Sequence, residues 1–347
     1  MLGDRDYRID HAKGLLIFLV VLGHILEVTS YWQPDAIRLP LTAIYLFHMP
    51  AFIFLAGATA KSDRLAQRVS ALVVLLLFGQ AMYWVGAQYM GGSPAFSYFP
   101  YWLLWFLLVM IYWQLLLPLV LRMRAYALGI SVAVSAAAGW VGWIGNDFAL
   151  SRALVFMPFY VAGALYGKRI IAYAGSIPGA AKAAVALGSV MLVGAVFALN
   201  LSPWWFFGNR SYEGLGSGLL HGVVVRLALL AVASVLTFTL LTQLSGRRSV
   251  ISGAGKRSLG VFLMHGLVVM ALTPAMPAVL ASEGKLTAIA LAAVIGLAVV
   301  SLFALPMFDM ALRRISTAPY ALLSGTRRAD RGPGSSADDV KAPARST

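Results

Sequence analysis

The chain has 347 residues, of which 60% are hydrophobic and only 12% charged, with a mean hydropathy of +0.81. That is about half the charge of an ordinary soluble domain, too little to cover the apolar surface of one globular core, so the bilayer is the expected solvent. The absence of cysteine excludes disulfides, thiol catalysis and thiolate metal sites. The net charge of +14 is scattered through short loops, which excludes a nucleic-acid surface and fits the positive cytoplasmic loops of a bacterial inner-membrane protein.

Stretches of about 20 apolar residues run in order over 14–31, 41–60, 69–90, 101–121, 125–145, 153–171, 181–201, 217–243, 258–281 and 286–307. The fold class expected is all-α: a polytopic membrane helix bundle of about ten transmembrane helices. With the N-terminus inside, 22 of the 27 Lys and Arg residues fall on the cytoplasmic side. Arg38, Arg152, Arg210 and Lys285 fall outside, and Arg226 falls within a span. This bias requires an even number of spans with both termini cytoplasmic. Residues 1–13 form a cytoplasmic N-terminal segment. It precedes an apolar run like a signal peptide but lacks a small-x-small cleavage signal, so it is expected to be retained. Residues 14–308 form the transmembrane domain. Residues 309–347 are a basic cytoplasmic tail, disordered from about 324, where the composition turns small and polar.

Ionisable groups at membrane depth are costly and mark function. In the first span Lys13 and His24 are 11 residues apart, so they share a helix face and stand roughly 16 Å apart along it. Glu27, at i+3 from His24, is placed to orient the imidazole. In the second span His48 precedes Met49-Pro50 and is expected at the depth of His24. The Lys61, Arg64 and Arg68 series suits a phosphate ligand at the cytoplasmic mouth. Arg226, inside the eighth span, needs an anion or a cavity, and is expected to contact substrate. His221 and His265 are expected to be structural.

Taken together, these segments resemble the acyltransferase 3 family of bacterial membrane O-acyltransferases, and within it the fucose-4-O-acetylase-like branch. The resemblance rests on Asp10-x-x-Lys13-Gly14 with His24, Phe47-His48-Met49-Pro50-x-Phe52 through Gly57, Lys61-x-x-Arg64, Trp105-Phe106-Leu107, Met157-Pro158-Phe159 through Gly163, and Ser258-Leu259 with His265. They occur in family order from about residue 8 to 308. Lys13 stands where the family's hallmark has an arginine, with ten residues between it and the histidine, and Ala56-Gly57 where many members have Ser-Gly. The resemblance implies about ten helices around a polar cavity and a cytoplasmic acyl-CoA donor, acetyl-CoA or another short acyl-CoA, with no metal. His24 and Glu27 would be catalytic; Lys13, Lys61, Arg64 and Arg68 would hold the cofactor; His48 and Arg226 would meet the acceptor.

The function expected is transfer of an acetyl or other short acyl group to a hydroxyl of an envelope glycan, glycolipid or exported glycoside. The alternative is a secondary transporter or flippase using the His/Glu pair as a proton relay. The expected partners are acyl-CoA, a carbohydrate or glycolipid acceptor and the lipid bilayer, with no nucleic acid and with a homo-oligomer left open.

Overall fold

The computed structural model describes residues 7–33, 35–90, 99–142 and 147–329. Fifteen α-helices follow one another among them: α1 Arg8–Ser30, α2 Asp35–Thr59, α3 Leu65–Tyr89, α4 Trp105–Met123, α5 Ala125–Ala137, α6 Leu150–Val155, α7 Met157–Ser176, α8 Gly179–Ala198, α9 Trp204–Phe207, α10 Leu219–Gln243, α11 Val250–Lys256, α12 Ser258–Leu272, α13 Met276–Glu283, α14 Lys285–Phe303 and α15 Pro306–Ala329. No strand occurs among the described residues. The bundle is all-α, as the composition required.

Eight helical stretches are long and apolar enough to cross a membrane: α1, Ala36–Thr59 of α2, α3, α4, the α6–α7 unit from Leu150 to Ser176, α8, α10 and α14. A ninth is the pair α11 and α12, bent by 82° at their junction. The fifth predicted span is only a short apolar stretch, Ala125–Trp140, because the Gly/Ala-rich sequence passes into a 3-10 turn at Ala138–Trp140. The predicted span 258–281 is likewise divided, into α12 and α13. In the predicted tail, α15 continues to Ala329, past the point where disorder was expected. Residues 330–347 lie outside the described residues.

A helix in lipid can be apolar all round, so burial rather than amphipathicity shows which helices are central. In α1 and α2, 61% of the most apolar window is buried, against 22% in α3 and 11% in α8. Both helices that carry the sequence-predicted histidines therefore form the axis of the bundle.

Two close approaches fix that axis. Lipid supplies no hydrophobic drive between helices, so small residues that let backbones touch do the work. A Cβ on Gly57 of α2 would lie 2.2 Å from the Tyr160 carbonyl oxygen of α7, and one on Gly163 would lie 2.1 Å from the Phe54 oxygen. Gly167, one turn on, rests on Ala58. At the other end, a Cβ on Gly14 of α1 would lie 2.1 Å from the Ile251 oxygen of α11, and Gly255 is pressed on Asp10. The short α11 is held there by a capping box between Ser249 and Ser252. The Ser249 hydroxyl donates to Nε2 of His11 at 2.5 Å, while Nδ1–H of His11 donates to the Tyr7 carbonyl at 3.1 Å.

Candidate active site

Helix α1 presents His24 and Glu27 one turn apart toward α2, where Tyr45 reaches both. His24 Nδ1 lies 3.3 Å from Glu27 Oε2 and 3.1 Å from the Tyr45 hydroxyl. That hydroxyl donates to the same Glu27 oxygen at 2.5 Å. Since Tyr45 spends its only proton on the carboxylate, its oxygen and that of Glu27 can both only accept from Nδ1. The Nδ1–H tautomer therefore satisfies the group, and Nε2 keeps a lone pair.

Three further rings hold the imidazole. Trp102, in the turn before α4, meets it edge-on with centroids 4.7 Å apart. His265 of α12 stacks on it at 5.7 Å with the planes 24° apart, and the Tyr45 ring lies at 6.2 Å, perpendicular. His265 is wholly buried. Its Nδ1–H donates to the Val261 carbonyl at 2.9 Å, and its Nε2 has no partner. His265, expected from the sequence to be structural, packs directly on the His24 imidazole. His221, by contrast, sits at the start of α10 on the Ser217 hydroxyl at 2.8 Å, away from the site.

His24, Glu27, Tyr45 and His48 line a cavity of about 300 Å³ with Trp102, Trp105, Arg152 and Asn209. His48 is buried with its Nδ1–H on the Ile44 carbonyl at 2.8 Å, the helical i−4 bond that leaves its other nitrogen as an acceptor. Arg152 of α6 is fixed by a hydrogen bond from Nε to the Phe207 carbonyl at 3.1 Å and by lying 4.9 Å over the Trp105 ring. A second, wider cavity of about 630 Å³ shares the walls Glu27, Trp204 and Phe207. It adds Tyr31, Gln33, Asn200 and Ser202, so the His24 chamber adjoins a polar and aromatic vestibule. Tyr31, Trp32 and Asn200 on its rim all have positive φ, at 47°, 68° and 49°, the kind of strained backbone that concentrates at functional sites.

The remaining predicted residues are distributed differently. Lys13 is half-buried on the His24 face of α1, in range of Asp10. Lys61, Arg64 and Arg68 share the α2–α3 turn. Lys61 and Arg64 are exposed there, Arg68 is tied to Asp63 at 3.5 Å, and Gln114 of α4 holds the turn by donating to the Lys61 carbonyl at 2.8 Å. Among the described residues no hydrogen bond or ion pair joins Lys13 to these three. A cavity of about 810 Å³ between α1, α11 and α14 flanks Gly14 and carries two further arginines, Arg248 and Arg257. Arg226 does not line the His24 chamber; it borders a small crevice behind Tyr45. Among the described residues no three His, Asp or Glu side chains gather as a metal ion would require.

Residues 6–305 match the family model described as an acyltransferase domain. The chain belongs to that acyltransferase family. The fold is thereby the membrane helix bundle of an acyltransferase, and the His24 chamber lies within the matched residues. Two relatives share local identity: the nodulation protein NolL of Sinorhizobium fredii, 45% identical over 60 residues, and NolL of Mesorhizobium japonicum, 33% identical over 91 residues. These matches cover 17% and 23% of this chain and only 16% and 24% of the relatives' own lengths. No solved structure matches the chain.

Proposed function

We propose that this protein moves an acetyl or other short acyl group from acyl-CoA, bound at the cytoplasmic end of the bundle, to a hydroxyl of an envelope glycan, glycolipid or exported glycoside arriving from the opposite end. The observation that carries the proposal is the Glu27–His24 pair, tied by Tyr45, with its free Nε2 in a chamber walled by aromatic rings.

Glu27 accepts from Nδ1–H and fixes the tautomer in which Nε2 keeps its lone pair. Nε2 takes the proton of the acceptor hydroxyl as that oxygen attacks the thioester carbonyl. The tetrahedral oxyanion develops in a site with little water, where the fixed guanidinium of Arg152 supplies positive charge. Collapse breaks the carbon–sulfur bond, and the leaving thiolate receives the proton from Nε2. Glu27 stays ionised throughout and stabilises the imidazolium between the two transfers.

Donor phosphates would be met by Lys13 with Lys61, Arg64 and Arg68, and the cavity beside Gly14 offers a second basic station in Arg248 and Arg257. The vestibule suits a sugar. Trp204 is part-exposed, with the Arg210 guanidinium 3.6 Å over its ring, and Tyr31 is exposed, so flat apolar faces alternate with Gln33, Asn200 and Ser202. The vestibule supports an acceptor hydroxyl entering from the end opposite Lys13, with Lys13 at the cytoplasmic face of a bacterial inner membrane.

The test is purified protein in detergent with radiolabelled acetyl-CoA and a panel of envelope glycans. Label transfer that disappears in His24→Ala, with an unchanged unfolding midpoint, is the expected result. Full transfer by that variant removes His24 from the chemistry. Proton-coupled glycan uptake into vesicles without release of CoA would make the protein a transporter instead.

A further inference from the structure

Arg226 is only 2% exposed, and its Nε, Nη1 and Nη2 all lack a hydrogen-bond partner. It stands seven residues into α10 from Leu219, roughly 10 Å along the helix. A lone guanidinium at that depth is among the costliest groups a membrane protein can carry, and it persists only with an anion or a polar cavity. The aromatic ring beside it supplies no charge. The guanidinium lies 5.4 Å from the ring of Tyr212, whose hydroxyl donates to the Ala136 carbonyl at 2.7 Å, and burial pushes that phenol's pKa upward, away from ionisation. Among the described residues no carboxylate pairs with Arg226: Glu27 is engaged by His24 and Tyr45, and Glu213 is exposed.

The crevice that Arg226 borders has a volume of about 30 Å³ and is otherwise walled by side chains of α2, α6, α7, α9 and α10, most of them apolar and Ala233 among them. That is room for one or two water-sized particles and too little for a sugar or a phosphate ester. Lipid phosphates stay at the interface rather than at this depth. Tyr45, Phe156 and Phe206 line both this crevice and the His24 chamber, and they stand between the cation and any acceptor bound there.

We propose that Arg226 forms a structural anion site holding one small inorganic anion of chloride size between α2, α7, α9 and α10. The anion supplies the charge that the crevice lacks and pins α10 against the back of Tyr45, the residue that ties Glu27 to His24. The site is independent of the acyl-transfer chemistry and stands or falls without it.

The test compares unfolding midpoints of the purified full chain in sodium chloride, sodium bromide and sodium gluconate at equal ionic strength, with a further arm of gluconate plus phosphatidylglycerol. Chlorine-35 line broadening reports binding directly. Chloride and bromide should raise the midpoint saturably over gluconate by about 2 °C or more. The gap should vanish in Arg226→Met, and bromide should displace the broadening. Ala233→Leu, which fills the crevice from its apolar side, should abolish both signals and decides the matter if Arg226→Met does not fold. Equal midpoints with no displaceable broadening in the unmodified protein overturn the proposal in favour of solvation by water alone. A midpoint raised by phosphatidylglycerol and not by chloride overturns it in favour of a lipid headgroup.

Discussion

Replacing Glu27 by glutamine keeps the volume of the side chain and removes its charge. The carboxylate now accepts from Tyr45 at 2.5 Å and from His24 at 3.3 Å through one oxygen. The neutral amide oxygen of glutamine can take the place of that carboxylate oxygen, but it accepts more weakly from both neighbours and no longer stabilises an imidazolium. When its amide NH₂ faces Nδ1, the imidazole proton moves to Nε2 and the base is lost. Hydrogen bonds to a charged group are worth about 1.5–3 kcal/mol. The 3.3 Å contact belongs at the low end, and Glu27 is 21% exposed, which weakens it further. A loss of roughly 1–2 kcal/mol of transition-state stabilisation follows, or about 5- to 30-fold in turnover. The assay is initial rate of label transfer at saturating donor, beside the unfolding midpoint. Glu27→Gln within threefold of the unmodified rate, and equally folded, would refute the view that the carboxylate sets the tautomer of His24.

The other predictions address the walls, the mouth and the axis. Trp102→Ala removes the edge-on contact at 4.7 Å, worth about 1 kcal/mol; turnover should fall roughly fivefold with donor KM unchanged, as steady-state kinetics would show. Lys13→Met should raise the KM for acyl-CoA and spare kcat. Comparing Arg64→Ala with Arg257→Ala then shows which basic station receives the donor, because only one should reproduce the KM effect. Gly163→Val drives a side chain into the Phe54 carbonyl and should cost about 2 kcal/mol or more, read as a lowered unfolding midpoint and a smaller monodisperse fraction on size exclusion.

The apolar runs and their punctuation were legible because lipid demands a continuous hydrophobic stretch for each crossing. The Lys13–His24–Glu27 spacing was legible because one helix sets it. His48 was placed at the right depth by a short loop alone. The partners of His24 were hidden. Tyr45 and Trp102 read as ordinary interfacial aromatics, and His265 lies on α12, far along the chain, where only tertiary packing brings it to α1. Arg152 had a faint signal, as one of the few basic residues expected outside. Several family-like segments proved to be packing devices: Gly57 with Gly163 seats α2 on α7, and Gly14 receives α11. Small residues at such sites leave the same trace in a sequence as a ligand contact. The short fifth span was misjudged because Gly- and Ala-rich sequence is apolar enough for lipid whether or not the helix continues.

The 82° bend that lays α11 across Gly14 also dictates the order of assembly. The helix bearing His24 leaves the ribosome first, yet the pieces that complete its site and brace its base, α12 and α11, come from the last third of the chain. At about 5–20 residues per second, the first helix waits on the order of ten to fifty seconds for those partners. During that time its glycine notch lacks α11 and its imidazole lacks His265, while Tyr45 of the next helix is already at hand. The His24 imidazole therefore gains its full set of ring neighbours only once α12 has been synthesised.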